Sequence, residues 1–532
     1  MITKQSLFVI LFAFLVTNAY YAFGEDQRSS DDDSNPKYCC GPINHGAKRA
    51  NVASVWNSPV QIQLFGADDR YWVSSCSSQN FTFPGLFGFP FPDDTGLQTY
   101  YVLRQLESTA GTIGLPGRQS FVQAHMNCIN ITSCPGQMTR YESFVSGLPM
   151  KPTLAYLYSL TPQPPQVLNT FQAAGDVIAF NKSAVDPRTG CVPRVRALDS
   201  PIVPNDPYAS DGIQTGDTIY TSIVVAANLM ASVSVQTTQA LSRVESIINQ
   251  AGGSRRDFIM VYVYLRNIAD KPAMDVAYAN FFAALSNLPT RVVQGAIISV
   301  RPQHANALVF IRVIARTPPT SKCDNPISYF SLPEILHDPP TLTSQAIGLG
   351  RFVYVGSVVG DTNPDFPVQS IPVDPSSQYR AALDNLEAVA NTAGADRADL
   401  GWLESDLPSL LLYQPSIDAV VGFYNWTNFA PPAVNFDAGV NAYNVSMQIN
   451  GIFWRNDNNY AILPSPWPWA IDGLLADQIL GLPIGTVRND TFCSGGSLVT
   501  CPKPGFFFNS YPQSPFNSLG FQTDPDATFH QP

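Results

Sequence analysis

Residues 207–315 read PYASDGIQTGDTIYTSIVVAANLMASVSVQTTQALSRVESIINQAGGSRRDFIMVYVYLRNIADKPAMDVAYANFFAALSNLPTRVVQGAIISVRPQHANALVFIRVIA, and this stretch decides the fold. Gly216-Asp217 turns the chain into an alternating strand, Thr218 to Val224. From Val235 to Ala251 the apolar Ala240, Leu241, Val244, Ile247, Ile248 and Ala251 recur at three- and four-residue steps. That is a helix burying one face, and Gly252-Gly253 supplies its left-handed stop. A strand follows at Phe258 to Leu265, then a second helical pattern, Met274, Ala277, Tyr278, Phe281 and Phe282. Pro289-Thr290-Arg291 leads into two further strands, Val292 to Val300 and Ala307 to Ala315. The order β-α-β-α-β-β, with room for a short strand at the start, predicts a sheet with two helices on one face.

Fainter copies lie on either side. The helix stop Ala251-Gly252 recurs as Ala110-Gly111 and Ala393-Gly394, 141 and 142 residues apart, and such equal spacing points to a triplicated domain. In the third copy Ala382-Leu383-Asp384-Asn385-Leu386-Glu387 matches Ala240 to Glu245, and Phe352-Val353-Tyr354-Val355 mirrors Thr218 to Thr221. The first copy is looser. Tyr71-Trp72-Val73-Ser74 is its opening strand, Tyr100, Leu103 and Leu106 its helix face, and Phe81 to Pro92 an irregular insertion. Gly348-Leu349-Gly350 precedes a strand, so it is read as a turn, not a dinucleotide loop.

The middle copy resembles the Rid (YjgF) family. It carries Pro207-Tyr208, Gly216-Asp217, Ser222, Ala240-Leu241 to Ala251-Gly252, Tyr278 to Phe282 and Pro289-Thr290-Arg291, and the third copy keeps Ser344-Gln345-Ala346-Ile347 and Gly350. The resemblance implies small α/β (α+β) domains of chorismate-mutase-like shape that associate as homotrimers with ligand clefts between neighbours. Three linked copies would then pack as an intramolecular pseudo-trimer. In active members an arginine pairs with a substrate carboxylate and a glutamate orients the water that hydrolyses an imine or enamine. The arginine position is read here as Lys151, Arg291 and Val434, and the glutamate position of the middle copy as Phe310. Lysine lacks the planar fork, valine cannot pair, and phenylalanine offers no acid or base. Ser222 is followed by Ile223-Val224 where the family has Gly-Gln. The candidate ligand residues are therefore Arg291, Tyr208, Ser222 and Lys151, for a small carboxylate. Arg291 also has a plainer reading, an arginine at a domain seam bonding an acidic neighbour of the next copy.

With 532 residues, 45% hydrophobic, the chain can bury several cores. Charged residues are only 13% and the net charge is −11, so there is no basic stripe for nucleic acid. Lys4 followed by the apolar run Leu7 to Val16, with Ala22-Phe23-Gly24 as a small-residue cleavage site, reads as a signal peptide. Its removal leaves no spanning segment, and a secreted, extracellular protein is expected. Six glycosylation sequons, at Asn80, Asn130, Asn181, Asn425, Asn444 and Asn489, agree with export. So do nine cysteines, among which Cys128/Cys134 and Cys493/Cys501 can staple local loops. The scattered His45, His125, His304, His337 and His530 lack zinc-site spacing, so no metal and no cofactor are expected.

The expected organisation is a signal peptide at 1–24, an acidic arm at 25–55, repeats at 56–180, 200–316 and 340–455, and an irregular tail at 456–532. The tail carries Pro464-Ser465-Pro466-Trp467-Pro468-Trp469 and Pro504 to Phe508, whose aromatics suit docking on a neighbour, as does the Cys39-Cys40 arm. Two functions follow: a secreted Rid-like protein with degenerate sites that serves binding, structure or assembly, or an imine/enamine deaminase using one cleft around Arg291.

Overall fold

A computed structural model describes residues 38–39, 47–50, 64–67, 70–77, 95–112, 115–128, 130–161, 173–182, 192–204, 206–318, 326–335, 338–360, 374–409, 412, 415–416, 419–420, 423, 433–441, 445, 447–455 and 460–463. The signal segment, the insertion at 81–92, most of the tail, Asn80, Asn425, Asn444, Asn489, Cys493 and Cys501 lie outside them.

The first stretch runs β1 (Tyr38–Cys39), β2 (Ala47–Ala50), β3 (Leu64–Ala67), β4 (Arg70–Ser77), α1 (Thr95–Thr112), β5 (Phe121–Cys128), α2 (Cys134–Val145), β6 (Thr153–Ser159) and β7 (Ala173–Phe180). The second runs β8 (Val192–Pro193), β9 (Val195–Leu198), β10 (Gly212–Thr215), β11 (Thr218–Thr221), α3 (Val233–Asn249), β12 (Phe258–Leu265), α4 (Lys271–Phe282), β13 (Thr290–Gly295), β14 (Ile297–Ser299) and β15 (Val309–Arg316). The third runs β16 (Ile327–Phe330), β17 (Ala346–Leu349), β18 (Phe352–Val359), α5 (Pro375–Thr392), β19 (Leu400–Leu407), β20 (Ala433–Ala438), β21 (Gln448–Trp454) and β22 (Tyr460–Leu463).

The architecture is mixed α/β with three large sheets of one strand order: 6-5-7-4-3-2, 13-12-15-11-10-9 and 20-19-21-18-17-16, the first extended by β14 and β22. Each has a parallel pair at the equivalent place, β5/β6, β12/β13 and β19/β20. The two helical crossovers described between such strands, α2 and α4, run back along the sheet, as parallel neighbours require. A bulge recurs two residues into β5, β12 and β19, at Phe121/Gln123, Phe258/Met260 and Leu400/Trp402. An arginine clamp recurs too. Arg118, Arg255 and Arg397 donate through Nη1 to the carbonyls of Phe144, Phe281 and Phe423 and lie over those rings. Glu107, Glu245 and Glu387 face them as acidic partners.

Several sequence expectations shift. Gly252 and Gly394 adopt φ of 80° and 73° after their helices, but Gly111 lies inside α1. The first two clamps are 137 residues apart, not 141, so Ala110-Gly111 does not stand where Ala251-Gly252 does. Tyr100 points outward, and Val102 joins Leu103 and Leu106 on the buried face. The expected strand Val292 to Val300 breaks at Ala296, whose φ is 57°, and β14 crosses to pair with β6 of the first sheet. Repeat boundaries at 56, 200 and 340 each fall one strand late, because β2, β9 and β16 complete their sheets. The tail also contributes β22, parallel to β2.

Packing follows from two-faced sheets. One face of each is covered by its own helices, in clusters such as Leu103/Phe121/Tyr141, Leu241/Val261/Phe282 and Leu383/Leu403/Phe453. The other faces meet in one shared core, where Trp72, Val122 and Phe180 join Tyr220, Tyr262 and Phe310, and Phe352, Trp402 and Trp454. At one end Arg70 of β4 pairs with Asp217, lies 4.6 Å over the Phe352 ring and reaches the Tyr354 hydroxyl, so one buried guanidinium ties all three sheets. Cys128 and Cys134 form a disulfide from the end of β5 to the start of α2.

The clamp gives a stability prediction. Arg255→Lys keeps the charge but loses the fork that holds Glu245 and the Phe281 carbonyl together. It should cost about 1–2 kcal/mol, read as an earlier thermal unfolding transition with unchanged circular dichroism.

Candidate functional site

Arg291 stands on β13 opposite Val261 and is fully buried. Its Nη1 donates to Asp275 Oδ1 and its Nη2 to Asp338 Oδ2, both at 2.6 Å. Lys271 Nζ donates to the other oxygens of the same two carboxylates, at 2.7 Å and 2.9 Å. One turn of α4 places Lys271 and Asp275 side by side, and Asp338 arrives from the segment before β17. The result is a closed ring of alternating charge, capped by the Tyr278 ring 4.9 Å from the guanidinium. Burial would lift the Asp338 carboxyl, but Arg291 and Lys271 outweigh it and hold the group below its ordinary range. Burial likewise pulls against the Arg291 charge, and Asp338 and Asp275 more than restore it. Both hydrogen-bonding arms that a substrate carboxylate would use are taken by the protein's own carboxylates.

The other expected ligand residues belong to a different seam. Ser222 Oγ donates to the Ser210 carbonyl at 2.7 Å and accepts from the Leu154 amide at 2.8 Å, between the first and second sheets. Tyr208 packs against the first sheet's helix core, and Ser210 donates to the Lys151 carbonyl. Arg291 lies in the next seam, where the Ser344 amide and the Thr343 hydroxyl donate to the Pro289 carbonyl. There a Cβ on Gly356 would come within 2.9 Å of the Arg291 carbonyl. Tyr208, Ser222 and Arg291 therefore do not share a cleft. The place of Lys151 is also corrected. Leu154 faces Ala124 as Arg291 faces Val261 and Val434 faces Leu403, so Leu154, not Lys151, stands at the register of Arg291 in the first sheet. Lys151 precedes the strand, and its Nζ donates to the Leu148 carbonyl at 2.7 Å. Phe310 pairs with Tyr264 in the shared core and is wholly buried.

Ionisable chemistry sits instead in the shared core. His125, Tyr262 and Glu404 occupy the same register on β5, β12 and β19, and their antiparallel partners are Asp176, Arg312 and Asn450. His125 Nδ1 lies 3.1 Å from Asp176 Oδ2 and 3.7 Å from Asp437 Oδ2. Arg312 stacks 3.9 Å over Tyr262, donates to the Tyr264 hydroxyl at 2.8 Å and pairs with Glu404 at 3.2 Å. Asp437 accepts from Asn127, and Asp406 accepts from Gln294 and Gln448. Burial, with Glu404 and Asp437 beside it, pushes the Asp406 carboxyl well up. Burial lifts Asp437 to about 7 against the pull of His125. Burial would lower the His125 imidazole, but Asp437 and Asp176 overcome it and raise it. This layer is absent from the sequence expectations. His125 is 279 residues from Glu404, so spacing along the chain cannot reveal it. The available signal was polar residues, Asp176, Arg312, Glu404 and Asp406, within otherwise apolar strands.

Comparison with known proteins agrees with the middle sheet. A family model described as Endoribonuclease L-PSP matches residues 199–317. A 2-iminobutanoate/2-iminopropanoate deaminase of Dermatophagoides farinae is 27% identical over 108 residues, 19% of this chain and 82% of that protein. Among solved structures, a chorismatase aligns at TM-score 0.43 and 13% identity, covering 64% of this chain and 95% of its own. The YjgF gene product of E. coli aligns at TM-score 0.21 and 22% identity, covering 23% and 99%. Residues 199–317, which carry the model match and this curated relative's likeness, are similar to the Rid (YjgF) family.

Proposed function

We propose that this is a secreted, glycosylated protein of three tandem Rid-like units, packed as an intramolecular pseudo-trimer, whose clefts no longer hydrolyse imines and which serves extracellular binding or assembly. The single observation that carries the loss of chemistry is the Arg291 ring, in which Asp338 sits where a substrate carboxylate would pair. The remaining arginine positions are Leu154 and Val434, which cannot hold an anion. Repeated strand order, bulges and clamps support the three-unit reading. The signal-like N-terminus and the sequons support export, with Asn130 turned toward Thr132 within its own sequon. The Pro/aromatic tail remains the proposed assembly element.

A second reading, hydrolysis of 2-iminobutanoate-type substrates in the Arg291 seam, is favoured by the likeness to the deaminase. Generating 2-iminobutanoate in situ separates the two. The full chain should leave its decay unchanged, and an acceleration abolished by Arg291→Ala would establish the second reading.

The ring also predicts acid behaviour. Asp338 is held below its ordinary value of 3.8, so its stabilisation is complete above that pH and is lost as pH falls through the lower folded value. Asp338→Ala, which leaves Lys271 and the buried Arg291 to share Asp275 alone, should cost about 3–5 kcal/mol at neutral pH. Acid titration followed by tyrosine and tryptophan fluorescence should show the difference between wild type and variant shrinking as the pH drops below about 4.

A further inference from the structure

We propose that His125, Glu404 and Asp437 bind one divalent transition-metal cation of the zinc or manganese class in the core between the sheets. One ring nitrogen and one oxygen of each carboxylate lie within 4.8 Å of one another, and all three side chains are buried. A cation held at about 2.1 Å from each would bring such atoms to roughly 3–4 Å, which small side-chain rotations supply. Imidazole with two carboxylates is a donor set for zinc, manganese or ferrous iron, harder than a thiolate site and softer than an all-oxygen one.

Two further observations point to a ligand. His125 Nδ1 faces two carboxylates, 3.1 Å from Asp176 Oδ2 and 3.7 Å from Asp437 Oδ2. Asp176 Oδ2 and the other ring nitrogen, His125 Nε2, are both buried and have no hydrogen-bond partner among the described residues. The charge count agrees. Among the described residues Asp176, Glu404, Asp406 and Asp437 share the layer with one guanidinium, Arg312, which reaches one oxygen of Glu404, and with the His125 imidazole. Buried carboxylates in such excess must take up protons or a cation, and a cation satisfies several at once. His125 comes from the first sheet and Glu404 and Asp437 from the third, so the ion would staple the two together. Held by three buried side chains, such an ion has a structural role.

The test is metal content of the full chain, purified after folding with zinc and manganese supplied, by plasma mass spectrometry. About one equivalent per chain is expected, falling more than about tenfold in the near-isosteric Asp437→Asn and Glu404→Gln, with circular dichroism unchanged. A folded wild type without metal, or metal retained by both variants, overturns the site. Should the variants not fold, X-ray absorption of the wild-type metal decides. Nitrogen and oxygen ligation with one imidazole supports the site, and sulfur ligation, from the cysteines, overturns it.

Discussion

Each sheet has two apolar faces and helices enough to cover one. That constraint governs the rest of the structure. β12 is buried along its whole length, Val261 and Val263 toward α3 and α4, Met260 and Tyr262 away from them. The second face has to meet another sheet, and three such faces close on one another. Closure then fixes where polar groups end up. Backbone and side chains at the seams are satisfied across sheets, as Ser222 does for Leu154. Arg70 is buried where three sheets meet and is compensated by Asp217 from a neighbouring one.

What the sequence revealed divides along the same line. The helices of the middle stretch and their buried faces were legible because a 3.6-residue period is local, and Met274, Tyr278 and Phe282 lie where it put them. The break at Ala296 was not, since nothing in Val292 to Val300 distinguishes one strand from two that serve different sheets. The Lys151 misplacement has a different cause. Pro152-Thr153 and Pro289-Thr290 open their strands alike, and aligning those dipeptides already sets Leu154 against Arg291, as the register does. Short edge strands such as β9 and β16 carry weak patterns and read as linker.

A pairing between sheets is harder still. Asp275 and Lys271 lie one turn apart on α4, but Asp338 is 47 residues beyond Arg291 in a segment rich in proline. The plainer reading, an acidic neighbour in the next copy, identifies the kind of partner and not its identity. That partner decides the chemistry: an arginine whose two arms are engaged, at full burial, stabilises the seam and presents no fork to solvent.

In a homotrimer every axial residue appears three times, so a buried histidine or carboxylate is tripled and must be tolerated in triplicate. A single chain removes that restriction. At one register this molecule sets His125, Tyr262 and Glu404, and behind them Asp176, Arg312 and Asn450. Neither set could be made from one residue repeated: three copies of Glu404 would bury three charges with no arginine beside them, and three of Arg312 would do the reverse. The mixed layer is stable because unlike groups answer one another. Asymmetry is therefore what allows ionisable chemistry in the shared core, while the seam that holds Arg291 is closed by the same freedom to place Asp338 once.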